Sequence, residues 1–188
     1  RKAPAALLTL TGISNQTAVL ETDPFHGVST FYGYYMLLAK KTVPSLELIR
    51  RYWGAMLDYG ATSFWEDFDL DWIQNSNRID ELPVHGKKDL HADFGNYCYK
   101  GLRHSLSHGW SCGPVQWGIN NILGIRPLSP GCRRVEVDPF LGDLEWAEGA
   151  MALPDGNAVV VKLHKRKDNT VEVKIDAPDW VEVVRKRR

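Results

Sequence analysis

Apolar residues recur at helical spacing through the first 124 residues of the chain. In the segment 44–60, Leu46, Ile49 and Trp53 fall on one helical stripe, and Gly60 follows as a helix-ending residue. Four segments share this pattern, namely 4–12, 29–41, 44–60 and 113–124. The sequence therefore predicts a helical N-terminal part.

The hydrophobic period changes to two after Arg126, as it does in half-buried β-strands. Alternating segments occur at 133–139, 144–151, 158–165, 170–176 and 180–184. The turn-forming sequence PDGN separates two of them. A run of helices followed by a run of strands predicts an α + β chain. We expect a helical domain at 1–124 and a small antiparallel β-sheet or β-sandwich domain at 125–188.

The segment 70–104 follows neither pattern, because it is long, polar and interrupted by aromatic residues. The aromatic residues Trp72, Phe94, Tyr97 and Tyr99 argue for an ordered structure. A long segment without regular structure in a compact domain is usually either functional or disordered. We therefore expect a functional loop here.

The amino-acid composition limits the kinds of binding partner that we expect. Of 188 residues, 44% are hydrophobic, which is enough for a core, and 23 basic residues balance 23 acidic ones. Zero net charge gives no electrostatic reason to expect nucleic acid or a membrane surface, and no apolar run is long enough to span a bilayer. The three cysteines form no CxxC pair. The chain opens without a methionine, so we expect a piece of a longer protein, and its compartment stays open, with secretion or the periplasm as one option.

The stretch GATSFWEDFD places Trp65 and Phe68 among three acids, Glu66, Asp67 and Asp69. A carboxyl group beside a tryptophan loses solvation, and neighbouring negative charges act in the same direction, so we expect a raised pKa at Glu66. A carboxyl tuned in this way suits general acid or base chemistry. The alternative is an acidic helix end with solvated carboxylates.

The stretch SLSHGWSCGP carries His108 and Trp110 on either side of a glycine. An imidazole can donate to a sugar hydroxyl, and an indole can stack on a sugar ring; the seven tryptophans and seven tyrosines also suit sugar binding. A helix-entry turn is the plainer alternative. A nucleophilic pair of His108 and Cys112 is disfavoured because no G-x-S-x-G motif accompanies it.

Two further stretches contain candidate polar residues. In DPFHG, His26 could face a substrate, or Asp23 could simply cap a helix. HGKKDLHAD holds two histidines and two aspartates, which could bind a divalent metal. Because Lys87 and Lys88 oppose a cation there, we expect a solvated loop with neither a metal nor a cofactor.

Three segments together resemble a known family. GATSFWEDFD, SLSHGWSCGP and ILGIRPLSPGCRRVEVDPFLGDLEWAEGAM are similar, in this order, to the C-terminal part of α-L-rhamnosidases, the family 78 glycoside hydrolases. The resemblance spans about residues 20–160. It implies the end of an (α/α)6 catalytic barrel followed by a C-terminal β domain. It also implies an inverting hydrolase that releases terminal α-L-rhamnose from rhamnosides.

The resemblance assigns roles to individual residues. Glu66, after the motif tryptophan, would be the general base, and His108 would contact the sugar. Trp65, Asp69, Trp110 and His26 are the further expected substrate contacts. Members commonly carry Arg and Trp after the glutamate, where this chain has Asp67 and Phe68.

The family's general acid lies upstream, outside this chain, so the resemblance implies half of a catalytic pair. The chain alone is then expected to be inactive and, with apolar helix faces uncovered, to self-associate. Two alternatives remain open. One is another helical-toroid carbohydrate enzyme of the phosphorylase type, and the other is a non-catalytic sugar-binding or structural module built on Trp65, Trp72 and Trp110.

Overall fold

A computed structural model describes residues 1–82, 84–91 and 104–185 of the chain. These residues fall into two units, Arg1–Pro114 and Val115–Arg188. The first unit is built from helices, and the second contains two small sheets. The α + β composition predicted from the change of hydrophobic period is therefore confirmed.

Five α-helices form the frame of the first unit. They are α1 (Lys2–Leu10), α2 (Thr17–Glu21), α3 (Tyr32–Ala39), α4 (Thr42–Leu48) and α5 (Gly54–Asp58). Helix α1 packs against both α2 and α3. Ala6, Leu20 and Leu37 are completely buried in this unit. The small buried alanines of α1 let α3 approach closely. Helix α3 is itself nearly apolar on all sides, as its sequence predicts.

The helix predicted at 44–60 contains a wide turn between α4 and α5. Residues Ile49–Trp53 form a π-helical turn, in which each hydrogen bond spans one residue more than in an α-helix. The extra residue rotates the following side chains around the helix axis. Tyr52 and Trp53 are consequently both buried, although they are adjacent in sequence. Spacing at 3.6 residues per turn predicts only Trp53 on the buried stripe.

A 3₁₀ helix at Leu70–Asn75 follows the acidic stretch, and the Asp69 carboxylate caps it by accepting from the Asp71 backbone N–H at 3.0 Å. Its far end is held by the Tyr59 hydroxyl, which donates to the Ile73 carbonyl at 3.0 Å. The described part of the predicted loop is thus anchored to α5. Phe94, Tyr97 and Tyr99, with Asp93 and Cys98, lie outside the described residues.

The second unit contains helix α6 (Gly113–Asn121), which begins just before the unit boundary, and six strands. One sheet has the order β1 (Ile125–Pro127), β2 (Arg134–Val137) and β6 (Glu182–Arg185). The other has the order β3 (Trp146–Ala152), β4 (Ala158–Lys165) and β5 (Val171–Asp176). Helices give way to strands after Asn121, whereas the two compact units divide between Pro114 and Val115.

The pairing of β2 with β6 departs from the antiparallel expectation. These strands run parallel, with Val135 opposite Val183, whereas the other strand pairs are antiparallel. The β3–β4–β5 meander lies between them in sequence. A connection of this length allows the chain to return in the same direction, which a short hairpin cannot do.

Alternation in β4 matches the predicted period of two. Val159, Val161 and Leu163 are buried, and the residues between them face outward. At about 25 cal/mol per Å² of apolar surface removed from water, each such side chain contributes roughly 1.5–3 kcal/mol. The β4 stripe is therefore the main hydrophobic contribution of this sheet.

Gly124 joins α6 to β1 in a conformation that suits glycine. Its φ is 72°, and its carbonyl accepts a hydrogen bond from the Asp138 N–H at 3.1 Å. A Cβ atom at this position would lie 2.2 Å from the Asp138 carbonyl carbon and oxygen. Both the backbone conformation and the close approach of the β2 end therefore require the absence of a side chain.

We predict that Gly124→Ala lowers the free energy of unfolding by about 2–5 kcal/mol, because left-handed strain adds to a clash with rigid backbone. Gly156→Ala is the matched control. Its φ is also positive, at 86°, but no atom lies within 4 Å of the added Cβ, so it should cost only about 1–2 kcal/mol. Urea unfolding followed by tryptophan fluorescence measures both, and equal costs would contradict the packing argument.

Candidate functional site

The two motif stretches lie side by side in the first unit. The Glu66 N–H donates to the Ser105 carbonyl at 2.9 Å, and the His108 N–H donates to the Phe64 carbonyl at 2.7 Å. These bonds pair two irregular segments that are separated by about forty residues. The residues singled out from sequence in both stretches are thereby brought to one place.

Glu66 is held at its backbone and at its carboxylate. Its Oε2 accepts from the Ser105 N–H at 2.9 Å. Its carbonyl oxygen accepts from the Trp110 indole Nε1 at 2.8 Å and from the Thr30 hydroxyl. The side chain is half-buried. Glu66 is therefore a fixed carboxylate and not a solvated acid at a helix end.

Aromatic rings form the floor beneath Glu66. Trp65 is 0% exposed and Phe68 1% exposed, and their ring centroids lie 5.6 Å apart in an edge-to-face arrangement. The alternation of aromatic and acidic residues thus sends rings inward and the Glu66 carboxylate outward. The substrate contact expected from Trp65 finds no support here, because its buried ring offers no surface to a ligand.

The π-helical turn holds both site segments through two adjacent residues. The Tyr52 hydroxyl donates to the Phe68 carbonyl, and Trp53 Nε1 donates to the Ser111 carbonyl at 3.1 Å. A regular α-helix would turn these two side chains about 100° apart. Neither contact is predicted by the sequence, in which the only signal is a pair of bulky aromatic residues directly before Gly54.

Burial raises the pKa of Tyr52 well above its usual value, and the negative charges of Asp67 and Asp69 raise it further. The phenol is therefore neutral at physiological pH and acts as a hydrogen-bond donor. The Tyr52 hydroxyl lies beneath the acidic stretch and donates its hydrogen bond to the Phe68 carbonyl.

A cleft of about 530 Å³ opens over Glu66, a size that suits a small-molecule ligand. Its lining residues are Ser29, Thr30, Phe31, Tyr32, Glu66, Asp67, His104 and Trp110. Trp110 is 49% exposed, and its ring centroid lies 4.3 Å from that of His108 and 5.9 Å from that of Phe31. The cleft therefore combines carboxylates with an accessible aromatic rim, the combination that sugar rings favour.

His26 and Asp69 do not line this cleft. His26 is half-exposed, with Nδ1 3.3 Å from the Asp71 carboxylate, and it lines a separate depression near the N-terminus. Asp69 is occupied in capping the 3₁₀ helix. Of the residues predicted from sequence, Glu66 and Trp110 line the cleft, and His108 packs against Trp110.

Two histidines, His91 and His104, lie within the aromatic floor. The solvated loop expected around His91 is wrong at that residue, which is buried, and no sequence pattern indicated His104. His91 and His104 are 3% and 1% exposed, with ring centroids 5.4 Å apart. The ring of His91 also packs edge-to-face on Trp65 at 4.9 Å. Neither ring nitrogen of His91 has a hydrogen-bond partner within the described residues. Burial lowers the pKa of His91, and the Asp89 charge only partly opposes this effect.

We predict that the folded state loses stability at low pH because of His91 in this aromatic floor. Because the folded-state pKa of His91 is lowered, the unfolded chain binds a proton first, and stability falls as the pH drops below about 6.5. His91→Phe should remove part of this dependence, by about 2–4 °C in the melting temperature between pH 7.5 and 5.5. His85→Gln, at an exposed histidine, is the control. A pH dependence in His91→Phe equal to that of the wild type would show that His91 is not the group responsible.

We also predict that Tyr52→Phe destabilises the first unit by about 1–3 kcal/mol, because it removes a buried hydrogen bond to the Phe68 carbonyl. Tyr34→Phe is the matched control, since the described residues include no hydrogen-bond partner for the Tyr34 hydroxyl. Chemical denaturation of both variants measures the difference. Equal stabilities would show that the Tyr52 hydroxyl does not hold the site.

Residues 1–82, 84–91 and 104–185 contain no group of three or more His, Cys, Asp or Glu that could hold a metal ion. The same residues contain no helix that is both long and apolar enough to cross a bilayer. Cys112 and Cys132 are free thiols.

Comparison with known proteins identifies what this arrangement is similar to. No family model matches the chain. An α-L-rhamnosidase of Alteromonas sp. (strain LOR) is 29% identical over 125 residues, which cover 65% of this chain and 10% of that protein. The chain thus spans about a tenth of the length of this curated relative.

Solved structures share the fold. The family 78 rhamnosidase of Bacillus sp. GL1 matches with a TM-score of 0.68 and 24% identity, over 98% of this chain and 18% of that one. A Streptomyces avermitilis α-L-rhamnosidase complexed with L-rhamnose matches with a TM-score of 0.61 and 20% identity, over 90% and 15%. The fold of this chain is thus similar to a part of each of these two solved structures. The resemblance to α-L-rhamnosidases drawn from the motifs is confirmed.

Proposed function

We propose that this chain supplies the general-base half of an inverting α-L-rhamnosidase active site, with Glu66 as the base. The observation that carries the proposal is the Glu66 carboxylate, fixed by the Ser105 N–H at 2.9 Å on a cleft with an aromatic rim. We infer further that the helical unit is part of an (α/α)6 barrel and that the two sheets form the accompanying β domain.

The environment of Glu66 suits a base. A hydrogen bond from the Ser105 N–H holds the carboxylate oxygen Oε2 in a fixed position. The buried floor of Trp65 and Phe68 leaves the carboxylate only half-exposed. A partly desolvated but fixed carboxylate can take a proton from a bound water without rearranging.

The chemistry then follows the inverting scheme. Glu66 removes a proton from water as the water oxygen bonds to the anomeric carbon, and the bond to the leaving oxygen breaks on the opposite face. A general acid, whose carboxyl group lies roughly 6.5–9.5 Å from that of the base, protonates the leaving oxygen. We propose that this acid belongs to a part of the protein outside this chain, so that the chain alone is inactive.

Recognition of the sugar would fall to the rim of the cleft. L-Rhamnose presents hydroxyls on one part of its ring and C–H and methyl groups on another. The half-buried imidazole of His108 can donate to a hydroxyl, while Trp110 and Phe31 offer apolar surface. His26 and Asp69 do not line this cleft, so they would contact only a part of the substrate that extends beyond the cleft.

A phosphorylase is the less favoured alternative. Such an enzyme needs positively charged groups or several N–H donors to hold a phosphate where water would otherwise attack. Among the residues that the structure places around the cleft, none is Lys or Arg, and Glu66 and Asp67 would repel the anion. Hydrolysis therefore fits the charges better than phosphorolysis.

Self-association of the isolated chain is a further part of the proposal. Several large apolar residues of the first unit outside the cleft are exposed, among them Leu38 near the end of α3 and Leu10 at the end of α1. Uncovered apolar surface of this kind promotes association in water. In a complete barrel, neighbouring helices would cover these faces.

We predict that Glu66→Gln, in the complete protein that contains this chain, lowers kcat for an aryl α-L-rhamnoside by about 10²–10⁴-fold while KM changes little. The amide keeps the shape of the side chain but cannot accept the proton. Glu81→Gln, at an exposed glutamate, should leave kcat unchanged. Wild-type turnover in Glu66→Gln would remove Glu66 as the base.

A further inference from the structure

We propose that Thr30 is a positioning residue that orients the Glu66 base through its backbone, an inference that rests on the proposed function. Thr30 lies two residues before α3 and is 2% exposed. Its hydroxyl donates to the Glu66 carbonyl oxygen across 36 residues of sequence. No motif resemblance and no spacing argument pointed to it.

Glu66 lies outside regular secondary structure, so its carbonyl does not belong to the repeating hydrogen bonds of a helix or sheet. The Thr30 hydroxyl and the Trp110 indole both donate to it instead, the latter at 2.8 Å. A carbonyl oxygen has two lone pairs, and these two donors can occupy both of them. Side chains from two distant segments therefore fix the peptide plane that follows Glu66.

Orientation of this peptide plane matters for the base. The direction of the Glu66 Cα–Cβ bond depends on the backbone dihedrals on either side of it, so a rotated carbonyl swings the carboxylate. On the N-terminal side the Ser105 carbonyl already fixes the Glu66 N–H at 2.9 Å. Thr30 and Trp110 complete the restraint on the C-terminal side, and catalysis tolerates little misplacement.

Threonine suits this role physically. A β-branched side chain has few rotamers, so a buried hydroxyl on it is held in one direction. Thr30→Val keeps the shape but removes the donor, and the Trp110 indole still satisfies the carbonyl. Little folding free energy should therefore be lost, and the consequence should appear in turnover.

The test uses the complete protein and an aryl α-L-rhamnoside. We expect Thr30→Val to lower kcat by roughly 3- to 10-fold, the value of one ordinary hydrogen bond, with KM within about twofold of the wild type. Thr30→Ser, which retains the hydroxyl, should restore most of the turnover. Thr11→Val, at an exposed threonine whose hydroxyl bonds only within its own helix, should leave kcat unchanged.

A double-mutant cycle separates positioning from a structural role. If Thr30 acts through Glu66, Thr30→Val should have no further effect on kcat in a Glu66→Gln background. An equal loss in both backgrounds, an unchanged kcat in Thr30→Val alone, or no rescue by serine would overturn the inference. Full turnover in Glu66→Gln itself would instead refute the proposed function, so the two failures are distinguishable.

Discussion

The pair of hydrogen bonds between Glu66 and Ser105 is the interaction on which the site depends. One runs from the Glu66 N–H to the Ser105 carbonyl, and the other from the Ser105 N–H to the Glu66 carboxylate, each at 2.9 Å. The first bond fixes the position of the Glu66 backbone, and the second fixes the orientation of its carboxylate. Because neither segment is a helix or a strand, no repeating ladder would hold the carboxylate if this pair were lost.

The surrounding structure supports this pair from two sides. Beneath it, the buried rings of Trp65 and Phe68 fill the core and exclude water. Beside it, the π-helical turn uses Tyr52 and Trp53 to hold one backbone carbonyl of each segment. The extra residue interrupts the regular α-helical hydrogen bonding, and π-helical turns of this kind are frequent at functional sites. The irregular helix and the irregular motif segments are thus parts of one arrangement.

Sequence patterns predicted the regular elements well and the site only partly. Among the described residues, periodicity gave every α-helix except α2 and every strand except β1, because burial on one face leaves a repeating pattern. It missed the π-helical turn, the parallel β2–β6 pair and the roles of Tyr52 and Thr30, since these depend on contacts between distant residues. The aromatic and acidic composition of the Glu66 stretch indicated a site, but only the structure showed that Trp65 supports it from below.

The most direct test of the account is chemical rescue of Glu66→Ala in the complete protein. Removing the carboxylate leaves space above the buried floor, and azide, an anionic nucleophile, needs no base to attack. The account predicts that azide restores turnover of an aryl α-L-rhamnoside and that the product is β-L-rhamnosyl azide, with inverted configuration. Formation of the α-azide, or a variant that hydrolyses substrate at the wild-type rate without azide, would contradict it.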